Sequence, residues 1–140
     1  KQKTAYEIVS RDWSSDGGSS DLRVEPYLDR MELAYGVADL IVARAGASSC
    51  AEIAACGIPA VLVPYPFATA DHQTGNARAL VDVGAAERIP DEALTPALLR
   101  ETVARFLGDR ARLEAMAAAA RSVARPRAAE DLAALLRSVA

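Results

Sequence analysis

The sequence has few of the residues that metal sites, disulfides and nucleic-acid interfaces require. Its 140 residues include one histidine, His72, and two cysteines, and the formal net charge is −3. A single histidine excludes a metal site built from several histidines. A chain with a net negative charge does not indicate the clustered positive charge that binding to nucleic acid requires. Cys50 and Cys56 are spaced for neither a redox pair nor a zinc knuckle. We therefore expect no metal, no cofactor, no nucleic-acid partner and two buried, reduced thiols.

Long apolar runs are also missing. The longest, Ile58–Val63, is far shorter than the roughly 20 residues that cross a bilayer, and no signal segment opens the chain. Hydrophobic residues make up 51% and charged residues 25% of the chain, which is typical of one globular domain. Because the chain begins with Lys1 rather than methionine, we expect a fragment or a processed chain.

The apolar runs and helical patterns alternate, and this alternation predicts an α/β fold. Strands are predicted at Leu22–Tyr27, Ala38–Ala43, Pro59–Val63 and Ala85–Ile89. Helices are predicted at Thr4–Arg11, Ser48–Cys56, Asp71–Asp82, Thr95–Leu107, Arg110–Arg125 and Pro126–Val139. Because parallel strands need crossover connections, we expect an open parallel sheet with flanking helices. The Gly/Ser-rich segment Trp13–Ser20 is predicted to be a flexible loop.

The first candidate site is the loop Arg44–Glu52, which leads from a predicted strand into a helix. Gly46 is free to adopt a positive φ, and the unpaired N–H groups at the helix start attract an anion. Glu52 can accept hydrogen bonds from a vicinal diol such as ribose. With one glycine in Ala45–Ser49, the loop is neither a Walker motif nor a dinucleotide fingerprint.

Other interpretations of this loop stay open. Ser49-x-x-Glu52 is also the pattern of a capping box, in which the carboxylate bonds to the backbone of its own helix. Ser48 or Ser49 is expected at least to cap the helix. Arg44 either contacts a phosphate or pairs with a neighbouring acid.

The second candidate site is the loop Pro64–Asn76, since long loops in compact domains are often functional. Asp71 is predicted to cap the next helix, which places His72, Gln73 and Asn76 in its first two turns. There they can offer donors and acceptors to sugar hydroxyls. The alternative is that they are ordinary solvated helix residues.

Two blocks of sequence carry a resemblance to a known family. RAGASSCAEIAACGIPAVLVPYP and the later DHQTGNARALVDVGAA resemble the C-terminal donor-binding domain of the MurG-type N-acetylglucosaminyltransferases. Upstream, VEPYLDRMELAYGVADLIVARAG resembles the strand, loop and short helix that precede the first block in that family. The resemblance runs from about Val24 to the C-terminus and implies the Rossmann-like half of a GT-B fold.

The resemblance also implies roles for individual residues. Glu52 matches a glutamate that binds the ribose hydroxyls, and Leu28 matches the residue whose backbone faces uracil. Gln73 matches a glutamine that contacts the sugar, Asn76 matches the asparagine of the second block, and His72 replaces a second glutamine found in some members. The residues expected to bind substrate are Leu28, Arg44, Gly46, Ala47, Ser48, Ser49, Cys50, Ala51, Glu52, His72, Gln73 and Asn76.

The function implied by the resemblance is metal-independent, inverting transfer of N-acetylglucosamine from its UDP carrier to a lipid-linked muramyl-pentapeptide of peptidoglycan. Residues 1–140 are then a segment of the UDP-sugar-binding domain, without the family's first strand–helix unit and without the N-terminal acceptor domain. That domain is expected to supply the catalytic base and the membrane-facing patch, so the segment alone is predicted to be inactive. The full-length protein is expected at the cytoplasmic face of the bacterial plasma membrane, in cell-wall synthesis and cell division.

Three alternatives to this function remain. Another GT-B transferase, acting on a natural product or a glycolipid, would have a similar donor site. A non-catalytic nucleotide-sugar-binding subunit completed by a second chain would suit the length of the segment. A sugar-nucleotide epimerase of similar fold would need acidic residues for its chemistry that the sequence does not group together.

Overall fold

The structure is a computed structural model, and it describes residues 25–139. The helices are α1 (Met31–Val37), α2 (Ala47–Cys56), α3 (His72–Val81), α4 (Pro96–Leu107), α5 (Arg110–Val123) and α6 (Ala128–Val139). The strands are β1 (Ile41–Ala43), β2 (Ala60–Leu62) and β3 (Ala86–Arg88). Two short 3₁₀ turns, Thr69–Asp71 and Asp91–Ala93, follow β2 and β3.

The three strands form one parallel sheet in the order β1-β2-β3. Val42 pairs with Val61 between the first two strands, and Val61 pairs with Glu87 between the last two. All of β2 is buried, as its continuous apolar run predicts for a central strand covered on both faces. The predicted open parallel sheet is confirmed, with α2 and α3 as the crossover helices.

Alternate residues of β2 belong to two different parts of the core, because side chains alternate between the faces of a strand. Leu62 lies in a cluster with Ile53 of α2 and Leu80 of α3. Val61 lies in a second cluster with Phe106 of α4. The sheet and its helices therefore hold the ends of β1 and β2 in fixed positions.

Local signals explain several helix ends. The Thr95 hydroxyl accepts a hydrogen bond of 3.1 Å from the Leu98 amide, and Pro96 is the first residue of α4, which is a favourable helix start. Gly57 ends α2 with φ 67°, in the left-handed region that favours glycine. A Cβ at Gly57 would also come within 2.5 Å of the Arg121 side chain, so α5 packs closely against this turn.

Some predictions fall outside this picture. The predicted helix Thr4–Arg11 and loop Trp13–Ser20 lie outside the described residues. The predicted strand Leu22–Tyr27 is described only from Glu25 onward, and that part is not a strand. The short helix implied by the resemblance is α1. No helix within residues 25–139 is long and apolar enough to cross a membrane.

Candidate functional site

The two candidate loops meet at the carboxyl edge of the sheet, because β1 and β2 are parallel neighbours and both loops follow their ends. A direct contact joins them: the Asn76 amide nitrogen donates a hydrogen bond of 3.0 Å to the backbone oxygen of Ala45. Asn76 therefore fixes the start of α3 against the segment that leads into α2. The two sequence blocks form one site.

The start of α2 differs from the prediction. Gly46 is the N-cap residue and is extended, with φ −64° and ψ 149°, so it does not use the positive φ that glycine permits. The Cys50 amide bonds to the Gly46 oxygen at 2.9 Å, which places Ser48 and Ser49 inside the first turn rather than at the cap. The prediction of a serine cap is therefore wrong.

The first-turn amides of α2 are consequently open to a ligand. Within the described part of the chain, no side chain caps this helix. Ala47, Ser48 and Ala51 are exposed, Ser49 is half-buried and Cys50 is buried. Because the first N–H groups of a helix lack intrahelical acceptors and carry the positive end of the dipole, this turn can bind an anion.

The Glu52 carboxylate does not close a capping box. Its Oε2 accepts a hydrogen bond of 2.6 Å from the hydroxyl of Tyr35 on α1. The hydrogen bond to Glu52, followed by partial burial, raises the pKa of Tyr35 to about 12. Tyr35 is a site residue that the sequence interpretation missed, because no local spacing rule connects residues 17 positions apart.

Tyr35 and Glu52 line an open groove of about 620 Å³ between α1 and the end of α2, together with Met31, Cys56 and Ile58. Leu28 lies just before α1, and its side chain is 45% exposed. The groove thus adjoins the segment expected to face a base. The role of Leu28 opposite a base stays a prediction.

The two cysteines lie in different environments. Cys50 is buried, and burial raises the pKa of its thiol. Cys56 is exposed at the groove, so the prediction of two buried thiols is wrong for Cys56. The reason is position: Cys56 is the last residue of α2, six residues after Cys50, and it faces away from the core.

Arg44 connects three strand ends. Its guanidinium pairs with the Asp91 carboxylate after β3 and donates hydrogen bonds of 3.3 Å to the backbone oxygens of Val63 and Pro64 after β2. It also lies 5.7 Å from the centre of the Tyr65 ring. The ion-pair interpretation of Arg44 is therefore confirmed, whereas its phosphate contact stays a prediction.

The polar side chains at the start of α3 bond mainly to backbone. Gln73 Oε1 accepts a hydrogen bond of 2.9 Å from the Tyr65 amide. His72 Nδ1 lies 2.6 Å from the Thr69 oxygen, and because a carbonyl only accepts, that nitrogen carries the proton. Within residues 25–139, their other polar atoms, Gln73 Nε2 and His72 Nε2, form no hydrogen bond to protein and can face a ligand.

Asp71 occupies the predicted N-cap position of α3 but does not cap it in the expected way. Its carboxylate accepts a hydrogen bond of 2.7 Å from the Thr74 hydroxyl instead of from a backbone amide. Asp71 and Ala70 both have positive φ, 52° and 51°, a conformation that costs free energy for residues with a Cβ. Such backbone strain tends to occur at functional sites.

Comparison with known proteins identifies relatives over most of the chain. A family model described as the glycosyltransferase family 28 C-terminal domain matches residues 2–132. A UDP-N-acetylglucosamine--N-acetylmuramyl-(pentapeptide) pyrophosphoryl-undecaprenol N-acetylglucosamine transferase from Methylococcus capsulatus is 50% identical over 111 residues, which are 79% of this chain and 31% of the relative. The protein of the same name from Chlorobaculum parvum is 51% identical over 115 residues, 82% of this chain and 32% of the relative.

A solved structure is similar as well. The crystal structure of Acinetobacter baumannii MurG matches with a TM-score of 0.77 and 40% sequence identity, over 83% of this chain and 33% of that one. The parallel sheet with flanking helices is thus the fold of a segment of MurG. The chain spans about a third of the length of the curated relatives it matches.

Proposed function

The chain belongs to glycosyltransferase family 28 as a C-terminal-domain segment, and from that premise we propose that its two joined loops bind the donor UDP-N-acetylglucosamine. In the full-length protein the sugar is transferred to a lipid-linked muramyl-pentapeptide, the reaction that the names of the relatives describe. The observation that carries the proposal is the exposed Glu52 carboxylate, held by Tyr35 beside the open start of α2.

The parts of the donor correspond to the chemistry of the site. A ribose diol supplies two hydroxyl donors, and Glu52 is an acceptor with oxygen lone pairs left after the bond to Tyr35. The diphosphate is an anion, and the first-turn amides of Ala47, Ser48 and Ser49 bind anions. Leu28 offers backbone groups to uracil, as the resemblance implies.

The sugar is assigned to the start of α3. Gln73 Nε2 can donate to a sugar hydroxyl while its Oε1 accepts from the Tyr65 amide. Asn76 retains its side-chain oxygen as an acceptor, because its nitrogen bonds to Ala45. His72 adds Nε2 as an acceptor, because its Nδ1 bonds to the Thr69 oxygen.

The proposed mechanism is inverting and does not require a metal. Amides and a helix dipole aimed at the diphosphate stabilise negative charge as UDP departs. Arg44 holds the loops at the strand ends in position through its ion pair with Asp91. We also propose that its remaining N–H groups contact a phosphate. The catalytic base and the acceptor site belong to other parts of the full-length protein.

The location of the protein follows from its acceptor. Since that acceptor is a lipid, we also propose that the full-length protein works as a peripheral protein at the cytoplasmic face of the bacterial plasma membrane. Its product would serve cell-wall synthesis and, through it, cell division.

The test is a transfer assay with the full-length protein, radiolabelled UDP-N-acetylglucosamine and lipid-linked muramyl-pentapeptide, with and without EDTA. We expect a labelled lipid disaccharide and stoichiometric UDP, both unaffected by EDTA. Parallel reactions contain UDP-glucose as donor or a glycolipid without the muramyl group as acceptor. Transfer to the glycolipid alone would assign the protein to a different GT-B reaction, and the absence of UDP-sugar binding would contradict the proposal altogether.

A further inference from the structure

The contact between Tyr35 and Glu52 is a side-chain hydrogen bond between two helices of the candidate site. Tyr35 lies on α1 and Glu52 on α2, and their side chains form the 2.6 Å hydrogen bond across the groove. Glu52 is exposed and Tyr35 is half-buried, so the bond is not a by-product of a packed core. It fixes the position of a carboxylate at the surface where a ligand would arrive.

The direction of this hydrogen bond is determined. A carboxylate accepts only, so the phenol donates, and the raised pKa of Tyr35, about 12, keeps the donor proton in place throughout the neutral range. The bond uses one lone-pair position of Oε2. Oε1 and the remaining position of Oε2 stay available as acceptors, which is the pattern that two adjacent hydroxyls require.

A free glutamate on a helix surface rotates about three side-chain bonds and must lose that freedom when it binds a ligand. A protein hydrogen bond that orders the side chain in advance reduces this cost. The benefit appears only with ligands that contact the carboxylate. Ligands that do not contact it gain nothing from the ordering.

We propose that Tyr35 is a positioning residue that holds the Glu52 carboxylate ready for both ribose hydroxyls and thereby sets the preference of the site for ribose over deoxygenated nucleotides. The inference rests on the proposed function, since it takes a ribonucleotide as the ligand. It assigns to Tyr35 no contact with the reacting atoms.

The experiment is a calorimetric titration of the full-length protein with UDP and with 2′,3′-dideoxy-UDP, for the wild type and for Tyr35→Phe. We expect the wild type to prefer UDP. Tyr35→Phe should weaken UDP binding about three- to tenfold and leave dideoxy-UDP binding unchanged. Tyr27→Phe is the matched control, because it removes the hydroxyl of a tyrosine that is 77% exposed, and both affinities should stay at the wild-type values.

A double-mutant cycle adds a second criterion. If Tyr35 acts through Glu52, Tyr35→Phe has no effect on UDP affinity in a Glu52→Ala background. Equal weakening of both nucleotides by Tyr35→Phe would show a general packing role of α1 and overturn the inference, as would an unchanged preference for UDP. A wild-type protein that binds UDP but does not prefer it to dideoxy-UDP would overturn the ribose role of Glu52 and the inference together. A wild-type protein that binds neither would contradict the proposed function itself.

Discussion

On the α2 side of the candidate site, the Glu52 carboxylate is held by another side chain, the phenol of Tyr35. On the α3 side, polar side chains bond to backbone instead: Gln73 to the Tyr65 amide and Asn76 to the Ala45 oxygen. The α2 side therefore has a prepared acceptor whose loss leaves the backbone intact. On the α3 side the same residues position the loops and, in the proposed site, also face the ligand.

This difference separates two kinds of substitution. Removing Glu52 should reduce ligand affinity and leave the fold nearly unchanged, because its only described partner is a half-buried side chain and not a backbone group. Removing Asn76 or Gln73 should reduce both ligand affinity and fold stability, because a backbone group loses its hydrogen-bond partner. Affinity and stability measured on the same variants decide whether the two sides differ in this way.

The largest effect is expected from Glu52→Ala in the full-length protein. It should weaken UDP binding by about 1.5–3 kcal/mol, because charge-assisted hydrogen bonds to ribose are lost. Calorimetry measures the affinity and a thermal melt measures the stability. Glu114→Ala is the control, since it removes an exposed acid paired with Arg110 on α5. Unchanged UDP affinity in Glu52→Ala would end the ribose assignment.

Asn76→Ala should lower the free energy of unfolding by about 1–2 kcal/mol, because the Ala45 oxygen loses its hydrogen-bond donor at a part-buried position. Denaturant unfolding checks this value. Arg78→Ala, an exposed substitution on the same helix, should stay within about 0.5 kcal/mol of the wild type. Wild-type stability in Asn76→Ala would mean that the side chain serves the ligand alone.

Two substitutions at Gln73 separate its two roles. Gln73→Ala removes the acceptor for the Tyr65 amide and should cost about 1 kcal/mol of stability, whereas Gln73→Glu keeps an acceptor oxygen and should not. Both remove the side-chain donor. Both should therefore raise the Michaelis constant for UDP-N-acetylglucosamine by more than they weaken binding of free UDP. Equal losses for the two ligands would assign Gln73 to the nucleotide or to the loop.

The smallest effect concerns pH and the Tyr35 hydroxyl. The folded-state pKa of Tyr35 is raised to about 12 from the ordinary 10.0, so the folded state favours the protonated phenol. The resulting stability is fully present below pH 10 and is lost as the pH rises towards 12. Tyr35→Phe should abolish that part of the loss in denaturant unfolding. An identical pH dependence in wild type and variant would show that the bond to Glu52 does not affect stability.

The sequence predicted the elements of the sheet because their signals are local. Continuous apolar runs indicated β1 and β2, and Thr95 with Pro96 marked the start of α4. The start of α2 was misjudged because serines are stronger cap formers than glycine, and the actual cap is set by how the chain leaves β1. The local sequence pattern does not show which residue becomes the N-cap of α2.

The contacts that build the site join distant positions. Arg44 and Asp91 are 47 residues apart, and Asn76 lies 31 residues from Ala45. No periodicity reports such pairs, so Tyr35 and Asp91 were not predicted. The resemblance indicated Glu52, Gln73 and Asn76 as candidate binding residues. The structure adds which of their side-chain atoms already form hydrogen bonds within the protein.

The most direct measurement is a crystal structure of the full-length protein with UDP-N-acetylglucosamine. We predict that both ribose hydroxyls lie within hydrogen-bonding distance of the Glu52 carboxylate, with Tyr35 still bonded to Oε2. The diphosphate should lie at the first turn of α2, and the sugar should lie beside Gln73. A nucleotide bound elsewhere, for example in the groove between β3 and α5 lined by Arg88 and Arg112, would contradict the assignment of the site.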